Sequence, residues 1–264
     1  MASYKQTQNA LKAPDEFQKL GQEALPFLEK YGKQVVLAVG GLLAVGFVVA
    51  LTATLRARSH EEAARSFGAA LRVLERDVSD DESPVVRPGE QPPFKTEAEK
   101  DAAIIKSLTD FRAAHKATPA AVSAALPLAQ ALLREGKASE AMPLVDEYLG
   151  QGDESDPMRP AGYEARGYAL EAQGKLDEAL ASFDDLARNT KTDFYKGMGL
   201  YHRGRILALK GDKDAAAKVF SEIEGAAPGT AAARMAKDRL SALAAQGVAL
   251  PAPAALPTTP APTP

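Results

Sequence analysis

The chain has 264 residues and no cysteine. This absence excludes a disulfide framework, a cysteine-based metal site and a cysteine nucleophile, and it fits an oxidising compartment as well as a reducing one. An excess of positive charge is also missing, since 32 Lys and Arg stand against 35 Asp and Glu, for a net charge of −3. Without a basic excess the sequence has no electrostatic footprint for nucleic acid, so no nucleic-acid partner is expected.

Motifs typical of catalytic, metal-binding or phosphate-binding sites are also scarce. The three histidines lie far apart, with no pair at metal-ligand spacing: His60, His115 and His202. The sequence contains neither a phosphate-binding GxxxxGK[ST] loop nor a GxSxG elbow. The pair Asp184-Asp185 falls on the expected solvent face of a helix, and the acidic loop 153–156 is a candidate cation site or, as we favour, a solvated turn. The sequence therefore predicts no catalytic residue, no metal, no cofactor and no enzymatic activity.

Charge of either sign disappears between Lys33 and Arg56. As a helix, residues 35–55 would span ~31 Å, which matches a bilayer hydrocarbon core of ~30 Å. A core helix of a soluble domain would carry a polar stripe. A cleaved export signal has an apolar region of only ~7–15 residues close to the N-terminus. We therefore predict an uncleaved transmembrane signal anchor over residues 35–55.

Small residues recur four apart inside the predicted anchor, at Gly46, Ala50 and Thr54, and again at Gly40 and Ala44. This spacing allows a second membrane helix to approach closely. Glycine is also simply common in membrane helices, so both interpretations stay open.

Residues 1–34 form a leader before the anchor. Pro14-Asp15-Glu16 is a helix-start signal, and Pro26 is expected to kink or interrupt the helix that follows. One face of this helix is apolar, made of Phe17, Leu20, Leu28 and Tyr31. The leader is either an amphipathic helix at the membrane interface or only a lead-in to the anchor.

The region 56–246 is rich in alanine and poor in β-branched runs, which predicts an all-helical domain. Its first helix is expected at about 57–77, with Ser59 as N-cap. A loop follows at 78–93, because that stretch holds four prolines and an acidic cluster, and helical pattern resumes at 96–115. The last segment, 247–264, has six prolines and no charge, which predicts a disordered tail.

Three segments repeat one pattern, at 129–145, 167–183 and 204–220, with spacings of 38 and 37 residues. Each copy has a small residue, a turn glycine, an alanine and a closing large apolar residue: Ala129, Gly136, Ala141 and Val145; Gly167, Gly174, Ala179 and Phe183; Gly204, Gly211, Ala216 and Phe220. The small residue lets a second helix approach the first, and the glycine accommodates the turn between them. A single pair cannot bury its apolar face, so the copies are expected to stack into a solenoid.

This pattern resembles the tetratricopeptide repeat. Phe111, Ala114 and Pro119 match the end of a further, N-terminal copy built from the helices at 57–77 and 96–115. The predicted fold is therefore all-α: a single N-terminal transmembrane helix, then a tetratricopeptide-like α-solenoid of about four helix pairs with a cap helix at 233–246. The usual large aromatic at the fourth position is present only as Tyr163.

The first helices of tetratricopeptide arrays line a concave face. Counting along the copies places six residues there: Gln130, Arg134, Glu164, Tyr168, Tyr201 and Arg205. Tyrosine and arginine are common anchors for partner surfaces. The alternative is that either tyrosine lies half-buried between helices with its hydroxyl in water.

One anchor, a short leader and a divergent repeat array together resemble the YfgM family, ancillary to the SecYEG translocon, whose repeat domain is grouped with that of the division coordinator CpoB. The resemblance implies a periplasmic repeat domain held at the bacterial inner membrane, with translocon subunits, periplasmic chaperones and emerging polypeptides as partners. It also leaves open a cell-envelope or cell-division coordinator. The basic residues flanking the anchor are nearly balanced, so the periplasmic orientation rests on the resemblance. A cytoplasmic orientation would make the chain an adaptor that docks soluble partners on the membrane.

Overall fold

The computed structural model describes residues 16–81, 86–87 and 89–251, with side chains from Glu29 onward. The start of the leader and most of the predicted tail therefore lie outside the described residues, and the predicted apolar face of the leader lies mostly where only the backbone is described. The chain forms two compact units, the first ending at Arg58 and the second beginning at Ser59. Within the described ranges every regular element is a helix, beside one isolated β-bridge between Val78 and Phe94.

Helix α1 (Glu16–Leu71) is continuous over 56 residues. One prediction about it was wrong, because Ser59 does not begin a new helix, and of the two effects predicted for Pro26, a kink or an interruption, the interruption does not occur. A helix restarts at an N-cap only where the preceding helix has ended, and residues 56–60 contain neither glycine nor proline to end it. Proline removes one backbone hydrogen bond, while the bonds on either side remain.

Between Leu71 and Glu97 the described residues, which exclude 82–85 and 88, form no helix, in line with the loop predicted from the proline-rich stretch. Phe94 is buried and anchors it, and the Arg76 guanidinium carbon lies 3.8 Å from the centre of that ring. Helix α2 (Glu97–Ala114) then begins at Thr96, whose hydroxyl accepts a hydrogen bond from the backbone N–H of Glu99. This is the capping interaction expected of a threonine N-cap.

The C-terminal end of α1 contacts α2. The Phe67 and Phe111 rings stack with their centres 5.3 Å apart, and the Ser107 hydroxyl donates to the Ala70 carbonyl. These contacts lie where the sequence predicted a further, N-terminal copy, although its first helix ends at Leu71 rather than near residue 77.

The remaining helices are joined by short turns. Their bounds are α3 Pro119–Ser123, α4 Ala125–Arg134, α5 Ala138–Gln151, α6 Arg159–Ala172, α7 Leu176–Arg188, α8 Asp193–Leu209, α9 Lys213–Ala226 and α10 Ala231–Ala245. From α4 onward each helix packs on its predecessor, and α4, α6, α8 and α10 form one row of neighbours. In α10, the predicted cap helix, Ala232, Ala236 and Leu243 are buried beside Phe220, while its other side is exposed.

The repeat glycines have the conformation that the turns require. Gly136, Gly174 and Gly211 have φ of 72°, 74° and 88°, in the left-handed region that glycine enters without a Cβ clash. The residue after each glycine donates back into the last helical turn, as Lys137 does to Leu132 over 2.8 Å. These paired bonds form a Schellman C-cap.

The small residues at the start of the pattern make room for the ring that ends it. A Cβ built on Gly167 would lie 2.4 Å from the Phe183 ring, and one on Gly204 would lie 2.6 Å from the Phe220 ring. The copy that has Ala129 in place of glycine closes with the smaller Val145, and both are buried in the same cluster. The spacing rule taken from the sequence is thus confirmed as ring-against-helix packing.

Candidate functional site

A groove of about 800 Å³ lies across α4, α6 and α8. We call it the concave groove, and its lining is Gln130, Leu133, Arg134, Glu164, Ala165, Tyr168, Glu171, Ala172 and Leu209. Four of the six residues predicted for a concave face line it. Arg205 lies at its edge, and Tyr201 is elsewhere.

Arg134, the last residue of α4, is held by an acid one repeat earlier. Its Nε lies 2.8 Å and 3.0 Å from the two carboxylate oxygens of Asp101, and its Nη2 lies 2.6 Å from Oδ1. Asp101 is buried on α2, while the Arg134 side chain is half exposed. A forked pair of this kind fixes the guanidinium plane, so Arg134 forms a rigid wall of the groove.

Arg205 of α8 forms the second forked pair, with Glu171 of α6. Its Nη2 donates to Oε2 over 2.6 Å, and its Nη1 donates to Oε1. The hydrogen bond to Glu171 raises the pKa of Arg205 above its ordinary value. The same guanidinium lies 5.9 Å from the centre of the Tyr168 ring, at cation–π distance. This pair ties α6 to α8 beneath the groove.

Tyr168 occupies the middle of the groove, with 39% of its surface exposed. Its hydroxyl lies 3.1 Å from Nε2 of His202, and the same nitrogen lies 3.3 Å from a Glu164 carboxylate oxygen. The His202 ring is buried and stacks on Phe183, the ring that closes the third repeat copy. Burial, followed by the negative charge of Glu164, raises the pKa of Tyr168 to about 12. Tyr168 is therefore a neutral hydrogen-bonding aromatic at any physiological pH.

The structure places Tyr201 away from the groove, in the core beside the cap helix. Only 8% of it is exposed, its ring packs near Phe220, and its hydroxyl accepts a hydrogen bond from Arg239 Nε at 3.2 Å. Tyr201 lies 37 residues, one copy, after the groove residue Glu164, but it packs against α10, which contributes no residue to the groove. On α8 the position facing Tyr168 belongs to His202.

The sequence did not point to five features of the groove. Leu209 is 60% exposed at the end of α8, and Leu133, Ala165 and Ala172 add apolar surface. Glu171 completes the ion pair with Arg205. A usable signal was present, because Asp101 precedes Arg134 and Glu171 precedes Arg205 by 33 and 34 residues. An acidic residue that lies one repeat before a basic residue predicts a salt bridge between consecutive repeats.

No group of three or more His, Asp or Glu side chains arranged to hold a metal occurs among the described residues. The acidic loop at 153–156 is a hydrogen-bonded turn. The Asp153 carboxylate accepts from the Ser155 backbone and hydroxyl, at 2.8 Å and 2.7 Å, which lowers its pKa. Asp156 accepts from the Met158 backbone and the Tyr148 hydroxyl. The carboxylates are thus engaged by the chain itself.

The residues predicted to contact another membrane helix lie on α1. The stretch Glu29–Leu71 of this helix is long and apolar enough to cross a membrane, with a mean hydropathy of 2.6 in its most apolar window. Gly46, Ala50 and Thr54 are all exposed, and a Cβ on Gly46 would meet nothing within 4 Å. The Thr54 hydroxyl donates to the Ala50 carbonyl at 2.8 Å, so its polar group is satisfied within the helix.

Comparison with protein families identifies the array. The family described as tetratricopeptide repeat matches residues 105–157, 153–194 and 165–231. No curated protein and no solved structure shows significant similarity to the chain. The matched segments run from α2 to the start of α10. They include every residue that lines the concave groove, but not Asp101, the buried partner of Arg134. The chain therefore contains tetratricopeptide repeats, a module that typically mediates protein–protein interaction and is not catalytic.

Proposed function

We propose that this chain is a membrane-anchored scaffold that binds protein partners in the concave groove. The observation that carries the proposal is the groove itself, where an exposed leucine and a half-exposed tyrosine stand among charged groups that are already paired. A solvent-exposed apolar strip between satisfied polar groups is the usual composition of a peptide-binding surface. Arg134 and Arg205 hold its walls in place before a partner arrives, which lowers the entropy cost of binding.

The membrane anchor in this proposal is α1. Its side chains from Val36 to Leu55 are exposed and apolar around the whole helix, with no charge between Lys33 and Arg56. An all-round apolar helix needs an apolar environment, and ~20 such residues suffice to cross a bilayer. Thr52 and Thr54 return their hydroxyls to the Val49 and Ala50 carbonyls, as a helix in hydrocarbon requires.

The finer assignment rests on the resemblance in architecture to the YfgM family. On that basis the chain acts beside the Sec translocon, with its repeats in the periplasm. There the groove holds segments of translocon subunits, periplasmic chaperones or emerging polypeptides, and Gly46, Ala50 and Thr54 face a translocon helix. A coordinator of envelope assembly or division would use the same groove with different partners.

The test is site-specific capture. The full chain in native membranes is crosslinked, and translocon subunits and periplasmic chaperones are scored by immunoblot. Tyr168→Ala combined with Leu209→Ser should reduce capture about tenfold or more, since losing a buried aromatic anchor costs ~2 kcal/mol or more at an interface. Tyr201→Ala is unsuitable because Tyr201 is part of the core.

The matched control is Phe194→Ala, which removes an exposed aromatic on α8 that does not line the groove. Capture should be unchanged in this variant. Undiminished capture by the groove double variant, with helical content intact, would rule the groove out. Capture of division-site proteins in place of translocon subunits would select the coordinator.

A further inference from the structure

The concave groove lies at one edge of the array, where the helices of one row end. Its lining includes the last residues of three helices: Arg134 of α4, Ala172 of α6 and Leu209 of α8. The next helix in this row is α10, because it packs directly on α8. The residues that follow α10 therefore begin at the edge of the array where the groove lies.

Helices α8 and α10 run in the same direction, because α9 folds back on α8 and α10 folds back on α9. The bond between Arg239 and the Tyr201 hydroxyl fixes their register, and these residues lie at the middles of α10 and α8. Helix α10 ends with the same C-cap as the repeats, with φ of 85° at Gly247 and a bond from Val248 N–H to the Leu243 carbonyl over 3.1 Å. Val248 packs on the core cluster of α8 to α10.

We propose that the chain's own C-terminal segment after Val248, residues 249–264, docks in the concave groove and occupies it until a partner displaces it. This inference rests on the proposed function of the groove and adds a resident competitor. The segment is long enough to reach the groove. Packed helices are ~8–10 Å apart, so α6 lies ~20 Å from α10 along the row. A proline-rich segment advances ~3.1 Å per residue, and about eight residues cover that distance.

The chemistry of the segment matches that of the groove. The charged side chains of the lining are engaged: Arg134 by Asp101, Glu171 by Arg205 and Glu164 by His202. Residues 249–264 carry no charged side chain, so the segment can lie in the groove and leave these pairs intact. The segment offers Leu250 and Leu256 among prolines, and the groove offers Leu209 and the Tyr168 ring. Proline-rich segments bind such aromatic-lined grooves with little loss of conformational entropy.

Because the chain has no cysteine, an introduced pair reports a single contact. In the full chain, Ala172→Cys in the groove is combined with Ala255→Cys in the segment and treated with a short bismaleimide. The control pair is Lys218→Cys, exposed on α9, with the same Ala255→Cys. We expect the groove pair to crosslink within one chain at least about tenfold faster than the control pair, since a tethered segment reaches mM effective concentration at its site. Adding Tyr168→Ala should bring the two rates together.

Equal rates for the two pairs would overturn the proposal. Crosslinks that join two chains would also overturn it, because the occupant would then be a second copy. A peptide of residues 247–264 should bind a chain ending at Gly247 at least about tenfold more tightly than the intact chain, whose own segment competes. Equal affinity for both chains would contradict docking.

The two proposals fail separately. Loss of partner capture in Tyr168→Ala without any crosslink of the segment rejects the docking alone. A docked segment in a chain whose partners ignore the groove rejects the scaffold function alone.

Discussion

The two apolar regions of this chain differ in where their side chains find contacts. In α1 the large side chains from Val36 to Leu55 are exposed, and Gly40, Gly41 and Gly46 have open space around them. In the repeats Phe183 and Phe220 are fully enclosed, and each presses on a glycine of the partner helix. Apolar surface is stabilising only when it leaves water. The repeats therefore satisfy this requirement within the chain, whereas the apolar stretch of α1 from Val36 to Leu55 stays exposed.

The largest expected difference between the regions comes from removing one ring in each. Phe183→Ala should lower the free energy of unfolding of the repeats by about 3–5 kcal/mol, because it empties a closed site. Phe47→Ala, the same change on α1, should leave that free energy unaltered. Chemical denaturation of both variants in detergent, followed by circular dichroism, measures the two values. Equal losses would mean that the apolar stretch of α1 around Phe47 is part of the repeat core.

The second difference is sensitivity to a new charge. Val45 is 63% exposed and Phe194 is 53% exposed, so burial within the chain does not separate them. Val45→Arg should cost about 2.5–3.5 kcal/mol of membrane insertion, because it places a cation at the centre of the span. Phe194→Arg should cost none. The readout is the fraction of chain that resists carbonate extraction, and equal fractions would remove the basis for an anchor.

A third difference concerns glycine. Gly167→Ala should destabilise the repeats by about 1–3 kcal/mol, because the new methyl group meets the enclosed Phe183 ring. Gly225→Ala in α9 meets nothing within 4 Å and should be neutral or stabilising by up to ~1 kcal/mol. Thermal unfolding of the two variants compares them. A stable Gly167→Ala chain would show that the helices can separate without cost.

The smallest expected effect is a loss of repeat stability at alkaline pH. Burial raises the pKa of Tyr168 from its ordinary 10.0 to about 12, so the folded chain keeps a proton that the unfolded chain releases. The stability of the repeats is therefore complete below pH 10 and falls as pH rises from 10 through 12. Tyr168→Phe should flatten part of this fall in a series of melting temperatures. Identical slopes for both chains would contradict the assigned burial.

Much of the fold was predictable because each repeat carries its own local chemistry. The turn glycines and the small residue opposite each ring follow from spacing alone. The continuity of α1 through Ser59 was missed, because an N-cap residue acts only where something has ended the previous helix. Tyr201 was misplaced because its position, one copy after the groove residue Glu164, is covered by α10, and the repeat pattern does not show where the groove ends. Glu171 and Asp101 were missed because their role depends on a partner one repeat away.

The central claim is that α1 crosses a membrane and holds the repeats on the outer side of it. Since the chain lacks cysteine, Ala2→Cys and Lys218→Cys are clean single reporters for a membrane-impermeant maleimide in spheroplasts. The account predicts that Lys218→Cys is labelled at once and Ala2→Cys only after the membrane is opened. The reverse order would place the repeats in the cytoplasm and replace the export scaffold with a cytoplasmic adaptor. Labelling of both reporters without opening the membrane would contradict a spanning helix altogether.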